Sequence, residues 1–249
     1  MAQYFCGISL PTNDKITVET TLPVLEIQTW ANPIITERLI IRPLRLKDIE
    51  GFSALRSQPE VTALAYEGGS DPEYDLNSNF EALINYLRPW MKANIYFAIL
   101  SRTADGEEGE YIGELCLQFG NGWPSIGYMF RREYWGQGCA TEAVKGFMKF
   151  YWDLPRGAAT LVVHPATIHG PGGEEEKYTN TPPKVKERVL GEAERLNGSS
   201  QRVLLKAGFE QIERIFTGLD LFQYIFPLAQ VDLEAYREMY WRGYKARPT

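Results

Sequence analysis

The chain has few cysteines and histidines. Its 249 residues include three cysteines, Cys6, Cys116 and Cys139, and two histidines, His164 and His169. Three widely spaced cysteines form no disulfide framework, which favours a reducing compartment and a cytoplasmic location. Because thiol and imidazole ligands are so scarce, a zinc site is not expected, and no metal site is predicted.

The sequence also lacks long apolar runs and an excess of positive charge. No stretch approaches the roughly 18 continuous apolar residues of a membrane span, and residues 1–14 lack the basic start and apolar core of a secretory signal. A formal net charge of −6 argues against a nucleic-acid partner. The length, with 44% apolar and 23% charged residues, indicates a globular protein that can fill one core.

The most informative segment is a glycine-containing turn between a predicted strand and a predicted helix. The strand spans residues 126–130, the helix spans residues 139–151, and Gly136 and Gly138 lie between them. Glycine lets the backbone curl without Cβ clashes, and the first N–H groups of a helix have no internal partners. Together with the helix dipole they form a candidate pyrophosphate site, with a purely structural turn as the alternative.

Two further segments complete a pattern with this turn. Residues 36–45 read Thr-Glu-Arg-Leu-Ile-Ile-Arg-Pro-Leu-Arg, and residues 197–209 read Asn-Gly-Ser-Ser-Gln-Arg-Val-Leu-Leu-Lys-Ala-Gly-Phe. In this order, with the turn segment Tyr-Trp-Gly-Gln-Gly-Cys-Ala-Thr-Glu-Ala at 134–143, they resemble the GNAT superfamily of acetyl-CoA-dependent N-acetyltransferases. The most similar branch is the RimJ/RimL-like one, and the resemblance spans roughly residues 35–227.

The resemblance implies an α/β (α+β) fold of the GNAT type. It predicts a mixed, mostly antiparallel sheet of about seven strands, flanked by helices, in which two strands splay apart in a V where acetyl-CoA enters. The predicted organisation is an N-terminal extension (1–34), a GNAT domain (35–229) and a C-terminal helix (230–249).

Short apolar runs bounded by turn residues predict the strands. The continuous apolar run at 158–163 indicates a central strand buried on both faces. Residues 209–216 and 219–226 are predicted to form a closing hairpin, and a short strand is predicted near residues 24–27. The other predicted strands, which share this pattern, are at residues 38–42, 96–100, 111–119 and 125–130.

Helical spacing and capping residues predict the helices. Asp48 is a candidate cap for a helix that ends near residue 57, and Gly208 is placed to end a helix over 199–206. Further helices, which share apolar residues at helical spacing, are predicted at residues 79–93, 139–151 and 231–245.

An insertion separates two family blocks that normally adjoin. In the family a strand ending Val-x-Pro is followed almost directly by the Asn of the third block, but here residues 166–196 lie between them. Residues 168–183 are rich in Gly, Pro and Glu. Residues 185–196 have apolar residues four apart and are predicted to be a short helix. A tolerated surface insertion and a lid over the acceptor site both stay open.

The resemblance also implies the cofactor-binding residues. Backbone groups of Met129 and Phe130 would bind the pantetheine and polarise the thioester oxygen, and Asn197 would bond the pantetheine arm. Arg131 and Arg132 are candidates to meet phosphate charge, with two solvated arginines as the alternative. The turn residues that would face the pyrophosphate of acetyl-CoA are Gln137, Gly138, Cys139, Ala140 and Thr141.

Three side chains are candidates for catalysis. Ser200 is the candidate to protonate the leaving thiolate, with a role at the helix start as the alternative. Many relatives carry Glu in a Glu-Ile-Gly-Tyr segment where this chain has Ser125, so Glu114 on the neighbouring strand is the candidate base. A solvent-facing strand residue is the alternative for Glu114. Tyr128 is a candidate to bond substrate or water, and a reaction without a dedicated base stays open.

The predicted activity is transfer of an acetyl group to a primary amine by direct attack in a ternary complex, with a small molecule favoured as acceptor. Acetylation of a protein or peptide N-terminus is one alternative. A non-catalytic acyl-CoA-binding regulatory module, suggested by the missing carboxylate at Ser125, is the other. Monomer and homodimer both stay open. Candidates to line the acceptor pocket are Tyr66, Glu67, Tyr74, Trp90 and Tyr96. For the aromatic residues of this set, a place in the core is the alternative.

Overall fold

The computed structural model describes nine strands of one sheet, a separate strand pair and five α-helices. The described residues are 15–24, 31–65, 76–87, 94–120, 122–168, 182–194, 197–211, 214–227 and 243–245. The strands are β1 (Ile16–Pro23), β2 (Ile34–Ile35), β3 (Leu39–Pro43), β4 (Asn94–Arg102), β5 (Glu108–Gln118), β6 (Ser125–Phe130), β7 (Arg156–Val163), β8 (Arg188–Glu194), β9 (Glu210–Gln211), β10 (Arg214–Pro227) and β11 (Gly243–Lys245). The helices are α1 (Ile49–Arg56), α2 (Pro59–Ala65), α3 (Leu76–Leu87), α4 (Cys139–Asp153) and α5 (Gly198–Ala207).

The chain divides into two compact units. The glycine-turn unit comprises residues 25–118 and 127–150, and the terminal unit comprises residues 1–24, 119–126 and 151–249. Strand β6 and helix α4 each contribute residues to both units. None of the helices in the described ranges is long and apolar enough to cross a membrane.

In the glycine-turn unit the strands follow the order β2-β3-β4-β5-β6. The ladders from β2 to β5 are antiparallel, with Ala98 of β4 opposite Glu114 of β5. Because neighbouring residues of a strand face opposite sides, Phe97 meets Phe147 of α4 at a ring distance of 5.1 Å. Ala98 instead joins the buried cluster that includes Phe52 of α1 and Leu83 of α3. Helices therefore cover both faces of this part of the sheet.

In the terminal unit, strand β8 lies between β6 and β10. It pairs in parallel with β6 at Ser125–Leu190 and Ile126–Gly191, and antiparallel with β10. Helix α5 packs directly on β8, since a Cβ on Gly191 would lie 2.7 Å from Cδ2 of Leu204. Strands β1 and β7 form a separate antiparallel pair, whose buried residues include Val18 and Leu161.

Two larger predictions are wrong. Residues 158–163 do not form a central strand, and residues 185–196 of the insertion do not form a helix. Residues 158–163 do form part of a strand, β7, but it pairs with β1, and Ala158, Thr160 and Val162 are exposed. The predicted helix at 185–196 is instead strand β8, which directly precedes Asn197. Apolar residues four apart fit a strand as well as a helix, because four is a multiple of the strand period of two.

Three other local predictions need correction. The predicted hairpin turn near residue 217 is absent, because β10 continues over Arg214–Pro227 and pairs antiparallel with β9 at Tyr224–Gln211. Asp48 precedes α1 but makes no side-chain cap bond to it; its carboxylate binds Arg42 and the N–H of Arg45. Residues 243–245 form strand β11 rather than the end of a helix.

The remaining predictions agree in type with the described elements. Strand β6 spans Ser125–Phe130 as predicted, and α5 ends at Gly208, whose φ is 98°. The strand near 24–27 is not found at Val24; β1 ends at Pro23, and residues 25–30 lie outside the described ranges. Residues 88–93, 169–181 and 228–242 lie outside them as well. The mixed, mostly antiparallel sheet with flanking helices is confirmed.

Candidate functional site

The turn between β6 and α4 is held by its own side chains. A short 3-10 turn over Arg132–Tyr134 leads from the strand to the glycines. The indole N–H of Trp135 donates to the carbonyl of Phe130 at 2.7 Å, and Nε2 of Gln137 donates to the carbonyl of Glu133 at 2.5 Å. These local bonds explain how a loop with two glycines keeps a defined conformation.

The two glycines have the backbone geometry that the turn requires. Gly136 has φ 73° and Gly138 has φ 82°, in the left-handed region that favours glycine. Both are exposed, and a Cβ on Gly136 would meet no described atom within 4 Å. Helix α4 begins directly afterwards, with the N–H of Glu142 bonded to the carbonyl of Gly138 at 3.0 Å. An open surface with outward N–H groups at a helix start fits a pyrophosphate.

Arg38 connects this turn to the start of β3. Its Nε donates to Oε2 of Glu142 at 2.7 Å, and its Nη1 donates to the carbonyl of Gln137 at 3.0 Å. Oε1 of Glu142 also accepts from the Arg38 N–H at 2.8 Å and from the Thr36 hydroxyl at 2.7 Å. Burial opposes ionisation of Glu142, but these hydrogen bonds outweigh it and lower its pKa. An acidic side chain is thus kept ionised and paired in the first turn of α4.

The end of β6 offers one backbone donor that points away from β5. The N–H of Arg131 donates to the carbonyl of Ile112 at 2.9 Å. Because backbone groups alternate along a strand, the N–H of Phe130 is directed away from β5 and that of Met129 toward it. Consistently, a Cβ on Gly113 would lie 2.5 Å from the carbonyl oxygen of Met129.

Arg131 and Arg132 both have protein partners. Nη2 of Arg131 lies 3.3 Å from Oε1 of Glu133, and Nη1 of Arg132 lies 2.6 Å from Oε1 of Glu60. The N–H of Arg132 is bonded to Gln58 at 2.8 Å. A role of either guanidinium in phosphate binding stays a prediction.

Glu114 is buried and forms an ion pair with Arg56. Nη1 of Arg56 lies 2.8 Å from Oε2 of the carboxylate, and Nη2 lies 2.5 Å from Oε1. The Tyr111 hydroxyl donates to Oε2 at 3.4 Å, and the guanidinium lies 3.5 Å above the ring of Phe52. Glu114 therefore does not face solvent, and a bidentate guanidinium engages both of its oxygens.

The aromatic candidates for the acceptor pocket are only partly described. Tyr96 is buried and stacks on Tyr86 with ring centroids 4.0 Å apart. Tyr128, on β6, is half-buried. The other candidates, Tyr66, Glu67, Tyr74 and Trp90, lie outside the described residues.

Asn197 and Ser200 lie at the start of α5 in the terminal unit. Oδ1 of Asn197 accepts from the backbone N–H of Ser200 at 3.0 Å, so Asn197 caps the helix. Because that oxygen is engaged, the Nδ2 amide group is the part of Asn197 suited to a ligand carbonyl.

The sequence patterns gave no role to Arg38, Glu142 or Arg56. The first two belong to segments that carry the family resemblance, but nothing local indicates that residues 104 positions apart meet. Arg56 ends α1, where an arginine is typical of a solvated helix end. Among the described residues, no cluster of His, Cys, Asp and Glu could hold a metal ion.

A family sequence profile matches most of the chain. The profile described as "Acetyltransferase (GNAT) domain" matches residues 38–210, which include the glycine turn and the start of α5. A search of curated proteins finds no significant match.

Solved structures similar to this chain share its fold. Mycobacterium smegmatis RimJ in complex with CoA-disulfide is 16% identical, with 84% of this chain and 93% of that chain covered and a TM-score of 0.55. The RimL ribosomal alpha-N-protein acetyltransferase in complex with coenzyme A is 13% identical, with 79% and 98% covered and a TM-score of 0.55. A GNAT-family acetyltransferase from Bacillus anthracis is 17% identical, with 80% and 100% covered and a TM-score of 0.53.

Proposed function

Since the chain belongs to the GNAT acetyltransferase family and is an acyltransferase, we propose that it transfers an acetyl group from acetyl-CoA to a primary amine. The observation that supports this most directly is the exposed turn with Gly136 and Gly138 at positive φ, followed at once by α4. Such a turn presents backbone N–H groups and the positive end of a helix dipole to an anion.

Acetyl-CoA supplies the activated acetyl thioester when it is bound. The backbone N–H groups from Gln137 to Thr141, including those of Gly138, Cys139 and Ala140, would hold its pyrophosphate. A side chain at Gly136 or Gly138 would have to adopt a strained positive φ.

Polarisation of the thioester carbonyl is assigned to the N–H of Phe130. It is directed away from β5, whereas the N–H of Met129 is directed toward it, so Phe130 is the better donor of the two. A preorganised donor of this kind typically lowers a barrier by about 3 kcal/mol. A contact of the Met129 backbone with the pantetheine stays a prediction.

Release of the thiolate is assigned to Ser200, with Asn197 binding the pantetheine through Nδ2. The family resemblance supports both roles, and the cap bond from Ser200 N–H to Asn197 Oδ1 keeps the two residues together. A covalent acetyl carrier is not proposed. Burial raises the pKa of Cys116 to about 12, so this thiol stays protonated and is a poor nucleophile at neutral pH.

Deprotonation of the amine is proposed to proceed without Glu114 as a base. Its two oxygens already accept from the Arg56 guanidinium, so a proton transferred to Glu114 would break a buried ion pair. Glu114 is therefore assigned a structural role as the partner of Arg56, and the amine would react in its neutral form. Tyr128 remains a candidate to bond the amine or a water molecule.

A small amine is the preferred acceptor, in a cytoplasmic protein that is monomeric or homodimeric. The net charge of −6 favours the approach of cationic molecules. Aromatic residues near a carboxylate suit a cationic amine, and Tyr66, Glu67, Trp90 and Tyr96 stay the candidates to contact it.

The test is release of free thiol from acetyl-CoA with a panel of small amines and N-terminal peptides. Turnover with one acceptor class names the substrate, and turnover with peptides alone would overturn the preference for a small molecule. Tight acetyl-CoA binding without thiol release for any acceptor would instead favour a regulatory acyl-CoA-binding module.

Ser200→Ala is expected to lower kcat about 100-fold while CoA binding is retained. Ser199→Ala is the matched control, because Ser199 is an exposed neighbour in the same helix turn. An equal loss in both variants would assign the effect to the helix and not to the Ser200 hydroxyl.

A further inference from the structure

Glu142 places a negative charge next to the proposed pyrophosphate site. It lies in the first turn of α4, one turn beyond Gly138, whose carbonyl accepts its N–H. A carboxylate there suits the helix dipole but would repel a phosphate that approaches the same N–H groups. The structure surrounds it with donors from Thr36 and Arg38.

Arg38 is held from the sheet side and reaches to the turn. The N–H of Arg102 in β4 donates to the carbonyl of Arg38 at 2.8 Å, which fixes the Arg38 backbone. A Cβ on Gly138 would lie 3.4 Å from Nη2 of Arg38, so the guanidinium lies against the turn. The side chain is 47% exposed, and its positive charge is therefore accessible to a ligand.

The bond from Arg38 to Gln137 determines where one turn N–H points. In a planar trans peptide the C=O and the N–H point in opposite directions. Because Nη1 of Arg38 holds the carbonyl of Gln137 at 3.0 Å, the N–H of Gly138 is directed away from Arg38. The same guanidinium thus pairs the charge of Glu142 and orients a donor of the turn.

We propose that Arg38 is a positioning residue for the pyrophosphate of acetyl-CoA, through the Gln137 carbonyl and the Glu142 carboxylate. This proposal rests on the proposed function. Loss of Arg38 frees the Gln137–Gly138 peptide to rotate and leaves the Glu142 charge beside the phosphates. The chemistry at the thioester, which involves Phe130 and not the turn, should be unaffected.

Calorimetric titration of CoA into the purified protein tests this directly. Arg38→Ala is expected to weaken CoA binding by about 10- to 100-fold, the effect of losing hydrogen bonds to charged groups. Arg45→Ala is the matched control, because Arg45 is 48% exposed and also pairs with a carboxylate, that of Glu108. Its CoA affinity should equal that of the wild type.

Ligands that lack parts of CoA separate a positioning role from a general structural one. Dephospho-CoA, without the 3′-phosphate, should show the same loss in Arg38→Ala, because the pyrophosphate is retained. With S-acetyl-pantetheine, which has no phosphate, the variant and the wild type should turn over at equal kcat/KM. With acetyl-CoA the variant should have a raised KM and an unchanged kcat.

Variants of Glu142 examine the electrostatic part of the proposal. Glu142→Gln should bind CoA at least as tightly as the wild type, and Arg38→Ala/Glu142→Gln should recover part of the affinity lost in Arg38→Ala. Equal CoA affinity of Arg38→Ala and wild type would overturn the proposal, and so would an equal loss with the pantetheine ligand. Wild-type protein that binds no CoA would contradict the proposed function itself.

Discussion

The glycine-turn unit and the terminal unit each contain a buried carboxylate beside an arginine and a tyrosine, but the arginine engages the carboxylate differently in the two units. In the glycine-turn unit, Arg56 directs Nη1 and Nη2 at the two oxygens of Glu114. The side chains are 0% and 4% exposed, so the pair is almost completely removed from water.

In the terminal unit, the arginine beside Glu187 is Arg156, and it directs fewer hydrogen-bond donors at the carboxylate. Nε of Arg156 lies 3.0 Å from Oε2 of Glu187 without hydrogen-bond alignment, while the two Nη atoms donate to the carbonyls of Leu154 and Tyr151 at 2.7 Å. The hydroxyls of Tyr151 and Thr21 donate to the carboxylate at 2.5 and 3.2 Å. Burial is the largest influence on Glu187 and raises its pKa.

The comparison shows that burial beside an arginine does not by itself stabilise a carboxylate charge. The two arginines differ in where their donors point: those of Arg56 point at the carboxylate, and the Nη donors of Arg156 point at backbone carbonyls. For Glu114 this geometry argues against a role as proton acceptor, and for Glu187 burial is not fully offset, so its pKa is raised.

Removing a guanidinium is expected to have the largest effect. Arg56→Ala leaves a buried carboxylate without its bidentate partner, so we expect the free energy of unfolding to fall by about 3–5 kcal/mol. Arg156→Ala should cost less, because Arg156 is partly exposed and Glu187 keeps two hydroxyl donors. Urea unfolding of both variants measures the difference, and equal losses would remove the energetic contrast.

Replacing both partners of the Arg56–Glu114 pair should cost less than removing one. Arg56→Met/Glu114→Leu leaves no unpaired charge, and buried pairs exchanged for apolar residues often lose little stability. We expect recovery of at least about 2 kcal/mol relative to Arg56→Ala, measured by the same unfolding experiment. A double variant as unstable as Arg56→Ala would show that packing, and not the unpaired charge, dominates.

A smaller effect is expected from removing each tyrosine hydroxyl. Tyr151→Phe should lower the free energy of unfolding by about 1.5–3 kcal/mol, since its hydroxyl bonds an otherwise poorly compensated carboxylate at 2.5 Å. Tyr111→Phe should cost about 0.5 kcal/mol, because its bond to Glu114 is 3.4 Å long. A larger loss of stability in Tyr111→Phe than in Tyr151→Phe, measured by thermal or urea unfolding, would contradict this expected order.

The smallest expected effect is a pH dependence from Glu187. Its pKa is raised in the folded state above the ordinary value of 4.5, so the folded protein binds the proton more tightly. The stability it contributes is therefore complete below that value and is lost as pH rises through the folded-state pKa. Glu187→Gln does not titrate, so its stability relative to wild type should increase with pH over this interval. Unfolding curves at several pH values measure this, and a constant difference would contradict it.

Elements with a distinct local signal could be predicted from the sequence. Gly208 and the helix before it, strand β6 and the start of α4 all follow from residues within a few positions of one another. Local signals could not predict that β8, and not β7, is the strand that pairs with β6. Both segments are apolar enough for a strand, and only long-range pairing determines that β8 and not β7 adjoins β6.

The candidate site shows the same division. The glycine turn was predicted because its geometry depends on Gly136 and Gly138 themselves. The bond of Arg38 to Glu142 and that of Arg56 to Glu114 join residues far apart in sequence. Side-chain partners of this kind depend on the packing of separate elements, and no local periodicity encodes them.

The pairing of β1 with β7 has a consequence for where the chain can be shortened. Among the described strands, β1 is the only hydrogen-bonded partner of β7, through eight residue pairs from Ile16–Val163 to Pro23–Arg156. A truncated protein that begins at Ile35, the predicted domain boundary, would keep every family segment but lose β1. Strand β7 would then have no strand partner among the described residues, and such unpaired strand edges promote self-association and precipitation.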